Sequence, residues 1–343
     1  MTKDSSRRHS ATTPASAGGL ALLFPGQGSQ HTGMGKRIAE ISGAARETFA
    51  QADEVLGIRI SHLCFEGSER ELEDTVNTQP AILTTSLAHL RYLQELLREQ
   101  GRRLRPALIA GHSLGQFTAA VAADALDFSA GLRLVQERGR IMAEWARKRP
   151  GGLASVLGLS DDIVSELCRE ASPEGKVGVA VFNTPGQVVI SGEQDALQQA
   201  MTLVRERGGR AKRLPISVPG HIPIMRDAAD ELSRFISTLQ FREPKMPLVS
   251  NISAKLLTTA EAVRQELADQ ICAPVQWVRC VAAMANEGTE AFLELGPGQP
   301  LSKMIRRILD DVQTYSAEQI SPEELRELAT AVPVDGAGVE VAL

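Results

Sequence analysis

The chain has 343 residues and a net charge of −5, and its hydrophobic and charged fractions are 43% and 23%. This length suits one large domain with an insertion, or two domains, and the composition is ordinary for a globular protein. The acidic balance argues against a general affinity for nucleic acid. The sequence has no apolar run of about 18 residues, so it predicts no membrane-spanning helix.

The N-terminal residues and the cysteines indicate a cytoplasmic protein without a metal site. Residues 1–19 are polar and lack the apolar core of a secretory signal, so we expect a disordered lead-in there. The cysteines form no C-x-x-C pair and the histidines do not cluster, so reduced, buried thiols are expected. The cysteines are Cys64, Cys168, Cys272 and Cys280.

Short apolar runs alternate with amphipathic segments in the first part of the chain. Residues 20–24 and 106–110 are apolar and each ends at a glycine-containing turn, which predicts two buried strands. Apolar residues at helical spacing cover 78–100 and about 129–147. This alternation predicts an α/β fold with a mostly parallel sheet.

The pattern changes at about Pro150 and changes back at about Pro219. Between them the predicted elements follow the order β-α-β-β-α-β, which is typical of a ferredoxin-like subdomain. Further helices are predicted at 222–239 and 274–287, and strands at 247–251 and 289–295. The predicted organisation is a large α/β domain of residues 20–149 and 219–312, a small inserted subdomain of 150–218, and a C-terminal tail of 313–343.

The segment Gly111-His112-Ser113-Leu114-Gly115 fits the G-x-S-x-G pattern between a predicted strand and a predicted helix. The two glycines permit a sharp turn that exposes the serine Oγ. The amino end of the following helix favours a developing negative charge. The pattern therefore predicts that Ser113 is a nucleophile in an α/β-hydrolase-like domain; the alternative is a structural turn with a capping serine.

A serine nucleophile needs a base, and His221 is the best candidate. It follows Val218-Pro219-Gly220, where the insertion returns to the large domain. The other histidines lie in the tail, in a loop, in apolar or helical segments, or beside the serine: His9, His31, His62, His89 and His112. No aspartate is placed by sequence to orient His221, which leaves a backbone carbonyl or an amide side chain for that role.

The glycine-rich loop after the first strand, residues 24–30, is a candidate for stabilising an oxyanion. In an α/β-hydrolase-like arrangement the backbone N–H groups of Gln27 and Leu114 are the natural pair of donors. A plain turn and a phosphate-binding loop are the alternatives. It is not a Walker A loop, because no G-K-[ST] sequence closes it.

Together these segments resemble the malonyl-CoA:acyl carrier protein transacylase family, which includes the free-standing acyltransferases of polyketide synthesis. The resemblance covers about residues 20–308, and seven motifs appear in the family's order. The motifs are Leu23–Gln30, Gly111–Gly115, Gln136–Gly139, Phe182–Gln187, Val218–His221, Pro274–Trp277 and Glu294–Gly298.

The resemblance implies a ping-pong transfer of a malonyl group from CoA, through an ester on Ser113, to the phosphopantetheine thiol of an acyl carrier protein. It implies no bound cofactor and a monomeric enzyme in fatty-acid or polyketide biosynthesis. By resemblance, Arg138 pairs with the malonyl carboxylate, Asn183 lies near the acyl group, and Gln276 supplies the carbonyl that holds His221. His112 is expected to line the pocket. Taken without the resemblance, Arg138 is a surface helix charge.

Two departures from the family pattern bear on substrate choice. Gln116 stands where the family usually has Glu, which predicts the loss of a charge near the mouth of the site. Gly220 stands where the family usually has Ser or Phe, which makes room for a larger acyl group. Leu114 and Arg138, in contrast, are typical of malonyl users.

Three alternatives remain open at this point. One is an acyl-thioester hydrolase, in which water replaces the carrier thiol. The others are an acyltransferase for a larger acyl group and a catalytically idle module that binds the carrier. In either carrier-binding role, the basic clusters at 147–149 and 210–213 are candidate docking sites for an acidic carrier protein, although each alone is more typical of a solvated face.

Overall fold

The computed structural model describes residues 19–321 and residue 324. Residues 1–18 of the expected lead-in and most of the expected C-terminal tail lie outside the described residues. The strands are β1 (Gly19–Phe24), β2 (Leu108–Gly111), β3 (Gly151–Leu157), β4 (Val177–Thr184), β5 (Gln187–Glu193), β6 (Arg210–Arg213), β7 (Leu248–Val249), β8 (Leu256–Leu257), β9 (Thr289–Glu294) and β10 (Gln313–Ser316).

Helices surround both sheets. They are α1 (Lys36–Ile41), α2 (Gly43–Leu56), α3 (Ile60–Glu66), α4 (Glu69–Glu73), α5 (Thr75–Glu99), α6 (Gly115–Ala122), α7 (Phe128–Lys148), α8 (Asp161–Ala171), α9 (Gln194–Glu206), α10 (Arg226–Ile236), α11 (Ala260–Asp269), α12 (Trp277–Asn286) and α13 (Pro300–Ile308). None of the helices in the described part of the chain is both long and apolar enough to cross a bilayer.

The larger sheet has the strand order β10-β9-β1-β2-β7-β8. Its pairs are parallel except β7 with β8, which confirms the predicted mostly parallel sheet. Strand β1 is buried on both faces because helices cover each side of the sheet. Leu20, Leu22 and Phe24 belong to the same core as α5, α6 and α7, whereas Ala21 and Leu23 belong to the core of α12 and α13.

The smaller sheet is antiparallel, with the order β4-β5-β3-β6, and α8 and α9 share its own core. The sequence order β3-α8-β4-β5-α9-β6 matches the predicted ferredoxin-like pattern, and the predicted fold class is confirmed. Its other face packs toward the large sheet, because Leu153, Val181 and Val189 share a core with Trp277. Backbone hydrogen bonds from Phe182 N to the Val275 carbonyl (2.9 Å) and from Val275 N to the Ala180 carbonyl (2.9 Å) join the two units.

Some predicted boundaries were wrong. Gly19, assigned to the lead-in, is the first residue of β1, and residues 313–316, assigned to the tail, form the edge strand β10 beside β9. The polar sequence of β10 lacks the apolar alternation that identifies a strand. The helix predicted from residue 222 is interrupted: a 3-10 turn covers Pro223–Met225, and α10 begins only at Arg226.

Candidate active site

Ser113 lies at a sharp corner between β2 and α6. Its φ of 53° falls in the left-handed region, which a non-glycine residue adopts at a cost. A Cβ on Gly111 would lie 1.9 Å from the carbonyl carbon of Gly115, and one on Gly115 would lie 1.9 Å from the carbonyl oxygen of Phe24. Both glycines are therefore required by close backbone approach, and the corner presents the Ser113 side chain away from the sheet.

His221 reaches the same point from the start of the segment that follows the small subdomain. Its Nε2 lies 2.7 Å from Ser113 Oγ, and its backbone also has a positive φ, 63°. The Nδ1 atom lies 2.8 Å from the carbonyl oxygen of Gln270, and the His221 N–H donates to the carbonyl of Ile271 at 2.7 Å. Since a carbonyl can only accept, Nδ1 carries the proton and Nε2 is free to accept the serine proton.

The prediction that Gln276 holds His221 was wrong. The carbonyl beside Nδ1 belongs to Gln270, whereas the Gln276 carbonyl accepts the Cys280 N–H inside α12 at 2.9 Å. Gln270 and Gln276 lie close together in sequence on either side of the turn that leads into α12. Only the path of the backbone decides which carbonyl faces the imidazole.

The side-chain amide of Asn251 holds the turn at Ser113 in place, a role that the sequence did not predict. Its Oδ1 accepts from Ser113 N (2.9 Å) and from Gln270 Nε2 (3.0 Å), and its Nδ2 donates to the Gly111 carbonyl (2.8 Å). The Gln270 side chain also donates to the Ser113 carbonyl at 2.9 Å. One buried amide therefore links the turn that carries the nucleophile to the turn that holds the base. No motif in the sequence marks Asn251 for this role.

Removing the Asn251 amide is expected to slow acylation of Ser113 without preventing it. Asn251→Ala should lower the acylation rate about 10²-fold, because small displacements of reacting groups are costly. It should lower the free energy of unfolding by about 1–3 kcal/mol, because buried partners lose their hydrogen bonds. Stopped-flow CoA release and chemical denaturation measure the two effects. Asn286→Ala, at an exposed asparagine, is the control; an unchanged rate in Asn251→Ala would contradict the assignment.

Gln116 does not lie at the mouth of the site, so the prediction that it removes a charge from the mouth was wrong. It is fully buried beneath the corner, where its Oε1 accepts from Gly111 N (3.0 Å) and its Nε2 donates to the Val249 carbonyl (2.9 Å). An ionised carboxylate accepts but cannot donate. Having Gln116 in place of the family's usual Glu therefore changes the hydrogen bonds beneath Ser113 and does not change the charge at the mouth of the site.

A cavity of about 350 Å³ brings together most of the predicted site residues. Those that line it are Gln27, His112, Ser113, Arg138, Asn183, Gly220 and His221. Leu114 is buried next to the cavity, and a Cβ on Gly26 would lie 3.6 Å from its backbone nitrogen. The loop that carries Gln27 therefore rests directly on the corner. The pairing of the Gln27 and Leu114 N–H groups as oxyanion donors remains a prediction.

Arg138 is a buried cation at this cavity, with 1% of its surface exposed. The interpretation of Arg138 as an exposed charge on the surface of a helix was therefore wrong. Its Nη1 donates to Gln79 Oε1 at 2.9 Å, and its Cζ lies 5.1 Å from the centre of the Phe117 ring. In the described part of the chain no carboxylate forms an ion pair with it, and its Nε has no partner. Burial lowers the pKa of Arg138 to about 10, so it stays charged at neutral pH.

His112, Asn183 and Gly220 form another part of the cavity wall. His112 Nε2 lies 2.9 Å from Asn183 Oδ1, and its ring packs edge-to-face against Trp277 at 5.2 Å. His112 Nε2 is therefore engaged with Asn183, and the expectation that the His112 ring points away from Ser113 Oγ stays a prediction. The Gly220 N–H donates to Ser191 Oγ at 3.0 Å, and a Cβ there would approach Met142 only to 3.6 Å.

His221 is held in its neutral form. Burial, and secondarily the positive charge of Arg138, lower the pKa of His221 to about 3. A proton on the ring is therefore disfavoured well below the ordinary value of 6.5. The imidazole is available as a base throughout the neutral range.

The pH dependence of acylation is expected to follow this depressed pKa. Acylation by acetyl-CoA should show no loss near pH 6.5, and its acid limb should appear only at clearly lower pH. Arg138→Met should move that limb to higher pH, because it removes a positive charge that opposes protonation. Single-turnover rates between about pH 3 and 8 measure this, with circular dichroism to exclude unfolding. A wild-type limb centred near 6.5 would contradict the prediction.

None of the cysteines is among the residues that line the cavity. The four cysteines are free and buried, as expected, and burial raises the pKa of Cys64 and Cys168 to about 12. Across residues 19–321, no group of three or more His, Cys, Asp or Glu side chains is arranged to hold a metal ion.

Comparison with known proteins places this site in a family. Residues 21–334 match the acyl transferase domain model. The malonyl CoA-acyl carrier protein transacylase of Escherichia coli K12 is 40% identical over 303 residues, covering 88% of this chain and 96% of the relative. The Bacillus subtilis transacylase is 37% identical over 312 residues, covering 90% and 96%. This chain belongs to the malonyl-CoA:acyl carrier protein transacylase family.

Solved structures of transacylases in this family have the same fold. The enzyme from Xanthomonas oryzae superposes with a TM-score of 0.85 at 40% identity, covering 93% of this chain and 99% of that chain. A malonyl transacylase in complex with its type II polyketide acyl carrier protein has a TM-score of 0.81 at 36% identity, covering 87% and 94%. The family resemblance inferred from the seven motifs is confirmed.

Proposed function

We propose that this transacylase moves a malonyl group from CoA to the phosphopantetheine thiol of an acyl carrier protein through an ester on Ser113. One observation carries the proposal. A serine and a neutral imidazole 2.7 Å apart share a cavity with a buried arginine that has no carboxylate partner among the described residues. The pair supplies acyl transfer, and the arginine supplies selection for an acyl group with a free carboxylate.

In the first half-reaction His221 Nε2 takes the proton of Ser113 Oγ as the oxygen attacks the thioester carbonyl. The carbonyl oxygen becomes an oxyanion, which the N–H groups of Gln27 and Leu114 and the amino end of α6 stabilise. The C–S bond then breaks, and His221 returns the proton to the sulfur of CoA. The product is a malonyl ester of Ser113.

In the second half-reaction the carrier thiol replaces CoA. His221 takes the thiol proton, the sulfur attacks the ester carbonyl, and the proton returns to Ser113 Oγ as the C–O bond breaks. The Gln270 carbonyl keeps the imidazole in one tautomer through both steps. A neutral orienting group leaves His221 less basic than the carboxylate of a Ser-His-Asp triad would.

The carboxylate of the malonyl group is proposed to bind Arg138. Burying a guanidinium with unused N–H groups costs free energy unless an anion binds to it. The malonyl group carries such an anion, a carboxylate two bonds from the reacting carbonyl carbon. This argues against acetyl transfer as the main activity. The absence of a side chain at Gly220, which lines the cavity, leaves a substituted or larger acyl group as an alternative substrate.

The carrier is proposed to dock beside β6. Arg210, Lys212 and Arg213 are exposed on this edge strand, and the next residues, Leu214 and Pro215, line the cavity. Basic side chains here would steer an acidic carrier toward the mouth of the site. In the cluster at 147–149, Arg149 instead packs over Trp145 and pairs with Glu193. We also infer that the enzyme acts as a cytoplasmic monomer and needs no bound cofactor.

Intact-protein mass spectrometry tests the proposal. The protein is mixed in turn with malonyl-CoA, methylmalonyl-CoA and acetyl-CoA, and then with phosphopantetheinylated carrier protein. A malonyl adduct that persists in buffer and moves to the carrier supports transfer. An adduct lost to water at the same rate with and without carrier would identify a hydrolase, and preferential labelling by methylmalonyl-CoA would assign a larger substrate.

A further inference from the structure

A chain of buried polar side chains connects Arg138 to the loop that carries Gln27. Arg138 Nη1 donates to Gln79 Oε1 (2.9 Å), and Gln79 Nε2 donates to Thr75 Oγ1 (2.9 Å). Thr75 Oγ1 also accepts from Gln27 Nε2 at 3.1 Å. Gln79 is fully buried and Thr75 is 7% exposed, so water does not compete for the two bonds made by Gln79, whereas the bond between Gln27 and Thr75 is half-buried.

The directions of the two hydrogen bonds made by Gln79 are fixed by chemistry. A guanidinium has only donors, so Gln79 must present its oxygen to Arg138 and its nitrogen to Thr75. Thr75 and Gln79 are one helical turn apart at the start of α5, which places both side chains on one face. At Gly139, beside Arg138, a Cβ would lie 2.8 Å from the Thr75 carbonyl oxygen. Backbone contact between α7 and α5 therefore fixes the separation of Arg138 and Gln79.

We propose that Gln79 is the residue that positions Arg138 for a substrate carboxylate, and that Thr75 ties this anchor to the oxyanion loop through Gln27. This inference rests on the proposed role of Arg138 as the carboxylate anchor. The start of α5 then holds two ends of one substrate site: the group that binds the malonyl carboxylate and the loop that binds the developing oxyanion.

The neutrality of Gln79 is central to this role. An amide oxygen orients the guanidinium without cancelling its charge, which stays available for an incoming carboxylate. A carboxylate at the same position would form an ion pair inside the protein and compete with the substrate. Position 79 therefore controls selection for a carboxylated acyl group.

Two substitutions at position 79 test the inference, each assayed with malonyl-CoA and acetyl-CoA. Gln79→Glu is expected to lower kcat/KM for malonyl-CoA about 10²-fold, because the substrate carboxylate loses its partner. The kcat/KM for acetyl-CoA should change only a few-fold. Gln79→Met keeps the side-chain volume and removes the hydrogen bonds; it should raise KM for malonyl about 10-fold with little change for acetyl. Gln100→Glu, at the exposed end of the same helix, is the matched control.

Thr75→Val separates the two ends of the site. It leaves Gln79 beside Arg138 but removes the hydroxyl shared with Gln27. We expect about a 10-fold lower kcat for both acyl groups, because the oxyanion loop is less well held. Unchanged kcat values for both would overturn the link through Thr75.

The result for Arg138→Ala distinguishes failure of the inference from failure of the proposed function. If Arg138→Ala leaves the malonyl-to-acetyl ratio unchanged, the anchor itself is wrong. The positioning role of Gln79 is overturned if Arg138→Ala changes that ratio but folded Gln79→Glu does not. An equal loss of kcat/KM for malonyl-CoA and acetyl-CoA in Gln79→Glu would overturn it as well. Thermal melts establish that each variant is folded.

Discussion

Ser113→Ala is expected to abolish the acyl-enzyme, and His221→Ala to slow its formation about 10⁴- to 10⁶-fold. The alanine at 113 has no atom that can form the ester. Loss of the imidazole leaves Oγ protonated, because His221 Nε2, at 2.7 Å, is its hydrogen-bond partner in the structure. The remaining turnover in His221→Ala comes from oxyanion stabilisation and substrate binding.

Intact mass and CoA release after mixing with malonyl-CoA measure both effects. Ser217→Ala is a suitable control, because this exposed serine lies only a few residues before His221. The control should label like the native protein. A malonyl adduct that persists in Ser113→Ala would place the nucleophile elsewhere, and a His221→Ala variant with native rates would refute base catalysis by this residue.

The second large effect is expected at Arg138. Arg138→Ala should lower kcat/KM for malonyl-CoA about 10³-fold, because a charge-assisted, desolvated pairing with the carboxylate is lost. Acetyl-CoA has no carboxylate, so its kcat/KM should change less than about 10-fold. The native protein should therefore discriminate strongly in favour of malonyl, and the variant should not.

Steady-state assays with both donors and a saturating carrier protein measure this ratio. Arg138→Lys keeps the charge but presents a single ammonium group, so it should recover part of the malonyl activity. Arg140→Ala is the control on the same helix, because Arg140 pairs with Glu137, Glu144 and Glu231. Equal losses for malonyl and acetyl in folded Arg138→Ala would contradict the assignment.

The sequence indicated the reactive groups well where the chemistry is local. Ser113 was predicted because glycines at fixed spacing between a strand and a helix permit a sharp turn that exposes the serine. The structure shows the collisions that any side chain at Gly111 would cause. His221 was predicted largely by elimination among six histidines, and the structure brings it to 2.7 Å from Ser113.

Predictions that depended on distant contacts succeeded less often. Gln276 was chosen over Gln270, and Gln116 was placed at the mouth of the site when it lies under the nucleophile. Asn251 and Gln79 were missed, because a single buried amide has no periodic or spacing signal. The residues that do act at the site form hydrogen bonds to segments far away in the chain; they are Gln270, Gln116, Asn251 and Gln79.

The sequence by itself determined the alternation of strands and helices, the small inserted subdomain and the glycine-framed corner of Ser113, because these follow from short-range sterics and apolar periodicity. Only the tertiary structure decided which carbonyl orients His221, which amide supports the corner and that Arg138 is buried without a carboxylate partner in the described chain. The reason is physical. Hydrogen-bond partners and burial depend on how segments that are far apart in the chain pack together. No local sequence pattern encodes that packing.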